Sequence, residues 1–254
     1  MILLLGGTSD GLKLAKELYA YTKDIIMSTA TDYGHLIAEE AFQGKVIWGQ
    51  MDERELLAFC EAYKINHIID ATHPYAQIIS ENAIKVCKAL NINYWRYERP
   101  ASIEDNIVNV IWCKDYYEAG EYINKREGNV LVTTGSRHID KFLEGIENIE
   151  RVFVRVLPIT ENIKKLENLK LTPKQIIAIQ GPFSMKMNKE MLDHIKAKFL
   201  LTKESGTIGH TKEKIEAALH CGVEVIMIKR PLVQYPNVYE TIEGLIGAIK
   251  RTAM

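Results

Sequence analysis

The first eleven residues constrain the fold more than any other stretch. Ile2 to Leu5 form an apolar run without polar alternation, as expected of a parallel strand covered on both faces. The run breaks into small residues at Gly6-Gly7-Thr8-Ser9-Asp10-Gly11, and Leu14, Ala15, Leu18 and Tyr19 then share one helical stripe. Strand, glycine turn and helix make a β-α unit whose turn sits at the strand's carboxyl end. Glycines there let the backbone approach a phosphate, and the amides of the helix start point at it with a favourable dipole. A dinucleotide is the expected ligand.

The match to known phosphate loops is partial. Against G-x-G-x-x-G, Gly6 and Gly11 fall in register but Thr8 replaces the middle glycine, leaving less room while offering a hydroxyl. Against G-x-x-x-x-G-K-[ST], Leu12 displaces the lysine to Lys13 and no Ser or Thr follows for magnesium. The triphosphate reading therefore fails at two positions. The bland alternative is a helix start chosen for tight turning, with Ser9 or Asp10 as its cap.

A β-α rhythm continues for about a hundred residues. Strand-like runs occur at 2–5, 25–28, 46–48, 68–71 and 94–97, with helical patterns at about 10–21, 34–42, 52–63 and 75–90. A second series follows, with strands at 110–113, 130–133, 152–157, 176–180, 199–202 and 225–228. Its helical patterns lie at about 115–126, 137–144, 160–169, 185–197, 211–220 and 239–251. Alternation of this kind implies parallel sheets joined by right-handed crossovers. The expectation is an α/β protein of two parallel-sheet domains, 1–98 and 99–254, facing each other across a cleft, with one long sheet as the alternative.

Composition excludes other classes. Of 254 residues, 47% are hydrophobic and 26% charged, and the net charge of -1 argues against nucleic acid as partner. The chain shows no secretion signal and no run of membrane-spanning length, so a cytoplasmic protein without membrane partners is expected. Cys60, Cys87, Cys113 and Cys221 are scattered within or beside apolar patterns without C-x-x-C, and the seven histidines lack close pairing. Buried thiols and no metal site are expected.

Polar turns follow several strands. Thr133-Thr134-Gly135-Ser136, Gln180-Gly181-Pro182-Phe183-Ser184 and Thr202-Lys203-Glu204-Ser205-Gly206 would share one edge of the second domain and offer donors to a ligand bearing several carboxylates. Ser, Thr and Gly are also ordinary capping residues, which is the plainer account of each turn alone. In the first domain, Asp70-Ala71-Thr72-His73-Pro74-Tyr75-Ala76 ends the fourth strand, with Pro74 suited to the first turn of the next helix. His73 and Tyr75 would project toward the strand edge, beside the cofactor turn, although a lone histidine there is more often a hydrogen-bonded structural group.

Taken in order, Gly6-Gly7-Thr8, Asp70-Ala71-Thr72-His73-Pro74-Tyr75-Ala76, Arg96-Tyr97-Glu98-Arg99-Pro100, Thr133-Thr134-Gly135, Gln180-Gly181-Pro182-Phe183-Ser184 and Lys203-Glu204-Ser205-Gly206 resemble the precorrin-6A reductase family of cobalamin biosynthesis. The resemblance spans nearly the whole chain. It implies two Rossmann-like domains, 1–98 binding a nicotinamide dinucleotide and 99–254 binding a tetrapyrrole. The implied activity is reduction of the C18=C19 double bond of precorrin-6A or cobalt-precorrin-6A to the 6B compound by hydride from NADH or NADPH, with transient handover to neighbouring pathway enzymes as an accompanying expectation. A non-redox tetrapyrrole synthase or transferase of similar architecture, and a small-anion sensor, are the competing readings.

On the reductase reading, Gly6, Gly7, Thr8, Ser9 and Asp10 hold the pyrophosphate end, Ser28 and Ala30 approach the adenosine half, and Thr72 and His73 border the nicotinamide. Arg99, Thr134, Gly135, Ser136, Gln180, Gly181, Ser184, Lys203, Glu204 and Ser205 line the substrate side. His73 or Tyr75 supplies a proton, with water as the alternative. The family commonly carries glutamate where this chain has Asp10. The second strand ends Ser28-Thr29-Ala30-Thr31-Asp32-Tyr33, where members of the oxygen-dependent route often carry an arginine. No partner for a 2′-phosphate stands there, which favours NADH and a cobalt-containing substrate.

Overall fold

The computed structural model describes residues 1–98, 110–204 and 211–252. The chain begins β1 (Ile2–Leu5), α1 (Ser9–Tyr19), β2 (Ile25–Thr29), α2 (Asp32–Ala41), β3 (Lys45–Trp48), α3 (Glu53–Ala62), β4 (His67–Asp70), α4 (Gln77–Leu90) and β5 (Asn93–Tyr97). It continues with β6 (Val110–Cys113), α5 (Tyr116–Asn124), β7 (Asn129–Val132), α6 (Ile139–Leu143), β8 (Val152–Val156), α7 (Thr160–Asn168), β9 (Ile176–Ala178), α8 (Met185–His194), β10 (Ala197–Lys203), α9 (Thr211–His220) and β11 (Glu224–Ile228). The last described elements are β12 (Val238–Tyr239) and α10 (Ile242–Thr252).

Two six-stranded sheets result, ordered β12-β5-β4-β1-β2-β3 and β6-β11-β10-β7-β8-β9, with every pairing parallel. The single-sheet alternative is thereby set aside. In the first sheet all four residues of β1 are buried, because the strand is central and covered on both faces. Ile2 and Leu4 pack with Leu14, Ala15 and Leu18 of α1, while Leu3 and Leu5 pack with Leu56 of α3 and Ala83 of α4. Fully burying such a side chain stabilises by roughly 1.5–3 kcal/mol. The second sheet repeats the scheme, with Leu131 of β7, Leu200 of β10 and Val225 of β11 packed against Leu192 of α8 and Ile215 of α9.

The expected division at residue 98 differs from that in the structure. The chain divides into Met1–Pro100 with Pro231–Met254, and Ala101–Arg230. The segment after residue 230 returns to the first unit, because Val238 and Tyr239 pair with Arg96 and Tyr97 of β5 and because Ile242, Leu245, Ile246 and Ile249 of α10 join the core around Ile2 and Leu4. The last helix accordingly starts at Ile242, not 239, since the residues before it form a strand.

Candidate functional site

In the first sheet strand order reverses between β1 and β4, and an open parallel sheet binds ligands at the carboxyl ends of such a pair. Gly6 to Asp10 occupy this point. Gly7 has φ +102° with open space where a side chain would begin, so the turn both requires glycine and leaves room over it. Gly11 lies so close to Gly6 Cα and the Ala71 carbonyl that a β-carbon would meet them at 3.3 and 3.4 Å. These features suit the approach of a dinucleotide phosphate to backbone.

Thr8 corrects one expectation. It, rather than Ser9 or Asp10, caps α1: its Oγ1 accepts from the Gly11 amide at 3.0 Å and donates to the Ala71 carbonyl at 3.1 Å. A hydroxyl whose proton goes to Ala71 cannot donate it to a pyrophosphate. Ser9 is exposed and Asp10 buried beneath the turn. At the end of β2, Ser28 and Thr29 are buried and Ala30 exposed, while Thr31 caps α2 by accepting from the Gly34 amide at 3.1 Å.

Beside this turn the structure assembles a buried polar cluster that motif reading missed. Asp70 and Arg96 end neighbouring strands in register, and both side chains are fully buried. Arg96 Nη1 donates to Asp70 Oδ1 at 2.7 Å and to Thr72 Oγ1 at 3.1 Å, and its Nε donates to Glu98 at 2.7 Å. Asp70 also accepts from the Thr72 amide and hydroxyl at 3.0 and 2.7 Å, from Ser80 at 2.6 Å and from Tyr94 at 2.7 Å. Burial alone would raise the Asp70 pKa, but the Arg96 charge and the hydrogen bonds from Ser80, Thr72 and Tyr94 outweigh it and hold the carboxyl below its ordinary value. The cluster therefore fixes Thr72 at the strand edge by three contacts.

His73 and Tyr75 follow on the same loop, half-buried, with ring centres 5.5 Å apart. His73 Nδ1 accepts from the Tyr75 amide at 3.3 Å, which assigns the proton of the neutral ring to Nε2. Pro74 lies in a turn ahead of α4, which begins at Gln77, so it does not start that helix.

In the second sheet the order reverses between β7 and β10. Gly135, after β7, has φ +79° and open space beside it, repeating the geometry of Gly7. Three of the hydroxyls expected to greet a carboxylate are instead committed inside the fold: Thr133 donates to the Leu201 carbonyl at 3.0 Å, Thr134 is hydrogen-bonded to Tyr116, and Ser136 donates to Asn162 at 2.6 Å. Ser184 caps α8 by accepting from the Met187 amide at 3.2 Å, a bond that does not use its own proton. Glu204, 2% exposed, is ion-paired with Arg230, so it serves the fold's interior. Gln180 is exposed, whereas Arg99 and Ser205 lie outside the described residues.

Cations do remain at this edge. Lys203, at the end of β10, is half-buried, and burial with the nearby Arg137 lowers its pKa to about 8. Lys214 of α9 is lowered to about 7 by burial and by Arg155 and Lys203, with Glu213 acting the other way. Arg155 and Lys214 line a cavity of about 270 Å³ together with Thr134, Gly135, Gly181 and Phe183. Neither cation was singled out from the sequence. Arg155 in the apolar run Val-Phe-Val-Arg-Val was the available sign, since an interior strand position seldom carries a charge without a use. Among the described residues no group of three or more His, Cys, Asp or Glu could hold a metal ion, and no helix is long and apolar enough to cross a membrane.

A family model described as Precorrin-6x reductase CbiJ/CobK matches residues 1–250. The Cobalt-precorrin-6A reductase of Methanocaldococcus jannaschii is 38% identical over 250 residues, covering 98% of this chain and 97% of its own. That of Priestia megaterium is 35% identical over 251 residues, covering 98% of each. A solved structure titled CobK precorrin-6A reductase shares the fold at a TM-score of 0.77 with 22% identity, covering 98% of this chain and 96% of that one.

Proposed function

The chain belongs to the precorrin-6x reductase CbiJ/CobK family, and from that premise we propose that it reduces the C18=C19 double bond of cobalt-precorrin-6A, giving cobalt-precorrin-6B, with a reduced nicotinamide as donor. The observation that carries this reading is similarity along nearly the whole chain to two relatives named for that substrate. The synthase, transferase and sensor readings have no comparable support.

The first unit is the proposed dinucleotide site, and the second takes the macrocycle. When bound, the nicotinamide supplies the hydride that C19 accepts, the charge spreading over the conjugated ring. The chain's own part is mainly positioning. Backbone at Gly6, Gly7, Thr8 and Ser9 holds the pyrophosphate, with Asp10 shaping the turn from beneath. Thr72, held by Asp70 and Arg96, borders the nicotinamide, and Ser28 and Ala30 approach the adenosine half. His73 Nε2 or the Tyr75 hydroxyl delivers the proton to C18. NADH is the proposed donor, because the turn from Ser28 to Tyr33 carries no arginine or lysine for a 2′-phosphate and places Asp32 at the start of α2. In this proposal the enzyme works in the cytoplasm, with transient handover to neighbouring pathway enzymes.

Titration with NADH and NADPH, followed by nicotinamide fluorescence, tests the cofactor, and anaerobic turnover of cobalt-precorrin-6A tests the reaction. Binding of neither nucleotide would overturn the reading. His73→Ala and Lys203→Ala should change hydride transfer and macrocycle KM respectively; unchanged kinetics in both would remove those assignments.

A further inference from the structure

Arg155 is 7% exposed, one residue from the carboxyl end of β8. Its Nη1 donates to Asn188 Oδ1 at 2.8 Å and to Met191 Sδ at 3.4 Å, and its guanidinium carbon stands 4.1 Å from the Phe183 ring centre. These contacts hold the group in place, but none of them carries negative charge. Lys214 lines the same cavity, and among the described residues neither cation forms an ion pair with a carboxylate. Asn188, itself 3% exposed, is tied to the Phe183 and Ser184 carbonyls, so Arg155 is aimed by a rigid support. With the lining Thr133 and Thr134 hydroxyls already engaged, Arg155 and Lys214 are the charged donors this cavity offers. Two partly dehydrated cations repel each other and are costly to keep together unless an anion joins them.

We propose that this cavity is a carboxylate subsite in which Arg155 and Lys214 clamp one acetate or propionate arm of the macrocycle. The identity of the arm rests on the reductase reading; the class of ligand does not. The lowered pKa values of Arg155, to about 10, and of Lys214, to about 7, are the electrostatic mark of a site built to be completed by negative charge.

The test uses Arg155→Gln and Lys214→Met in the full chain, with Lys214→Arg as the conservative control. Losing one charge-assisted hydrogen bond should raise macrocycle KM about 10- to 100-fold, with affinity for the nicotinamide dinucleotide as in the wild type. Lys214→Arg should recover most of that loss. Ligand-observed NMR with propionate reads the subsite independently: line broadening in the wild type should vanish in Lys214→Met. Should Arg155→Gln fail to fold, the lysine variants decide alone. Unchanged KM in folded variants, or propionate broadening that survives Lys214→Met, overturns the clamp. A wild-type chain that never reduces the macrocycle, yet loses propionate binding in Lys214→Met, overturns the reductase reading and leaves the clamp standing.

Discussion

At the carboxyl ends of β4 and β5 the first unit buries Asp70 and Arg96 against each other, with Glu98 on the far side of the guanidinium. At the carboxyl end of β8 the second unit buries Arg155 against an amide, a sulfur and an aromatic ring. The two sheets are built alike around a reversal of strand order, and each has a positive-φ glycine after the strand that opens it. At the first edge the buried cation is paired with carboxylates, and at the second Arg155 has no carboxylate partner among the described residues. On the proposed function, the first edge positions backbone and Thr72 for the dinucleotide, and the second takes a carboxylate of the macrocycle.

The sharpest way to break this contrast is to remove the two arginines in parallel. Arg96→Met leaves Asp70 buried without its counter-ion and should cost about 3–5 kcal/mol, whereas Arg155→Met should be neutral or stabilising. Thermal melts of the two variants check both signs, and equal losses would erase the distinction. Gly7→Ala forces a β-carbon onto φ +102°, a cost of about 1–2 kcal/mol, and should weaken nicotinamide binding about tenfold while leaving propionate binding untouched.

Lys214→Met should raise the melting temperature by about 2–4 °C, the shift expected of ~1 kcal/mol, even as it impairs macrocycle binding. The sign follows from its pKa, about 7 in the fold against an ordinary 10.5. Between those values the unfolded chain binds more protons, so stability rises with pH and the ammonium is a burden at neutrality. Macrocycle KM should rise as pH climbs through about 7 and again through about 8, as Lys214 and then Lys203 lose their protons in a field that also includes Arg155, Arg137, His138 and Glu213. The first rise should disappear in Lys214→Met. Asp70 behaves oppositely: its pKa is held below 3.8, so its stabilisation is whole above that pH and is lost as pH falls through the lower value. Acid melts of the wild type and Asp70→Asn should converge there.

Sequence pattern was most legible where burial is two-sided. Ile2–Leu5, central in its sheet, is bounded in the fold as its apolar run suggests, because a strand covered on both faces admits no polar interruption. It was blind to β12, since two residues cannot show a period, and therefore to the return of the chain after residue 230. The Asp70–Arg96 pair was hidden for another reason: its partners are 26 residues apart and meet only when β4 and β5 come into register. At the second edge, Thr, Ser and Gly advertised donors that the fold largely spends on itself, while Arg155 sits singly in Val152–Val156 and Lys214 is one of several charges in α9.

The return of α10 to the core around Ile2 and Leu4 sets an order of events at the ribosome. The first strand made is among the last to be sealed. At about 5–20 residues per second, β5 waits roughly 8–30 s and β1 roughly 12–50 s between its own synthesis and that of α10. Meanwhile Ala101–Arg230 contains all six strands of its own sheet and can close first. A released chain truncated before Pro231 would thus keep every strand of the second sheet and leave the first unit with an open apolar flank, which is where a chaperone would find its purchase.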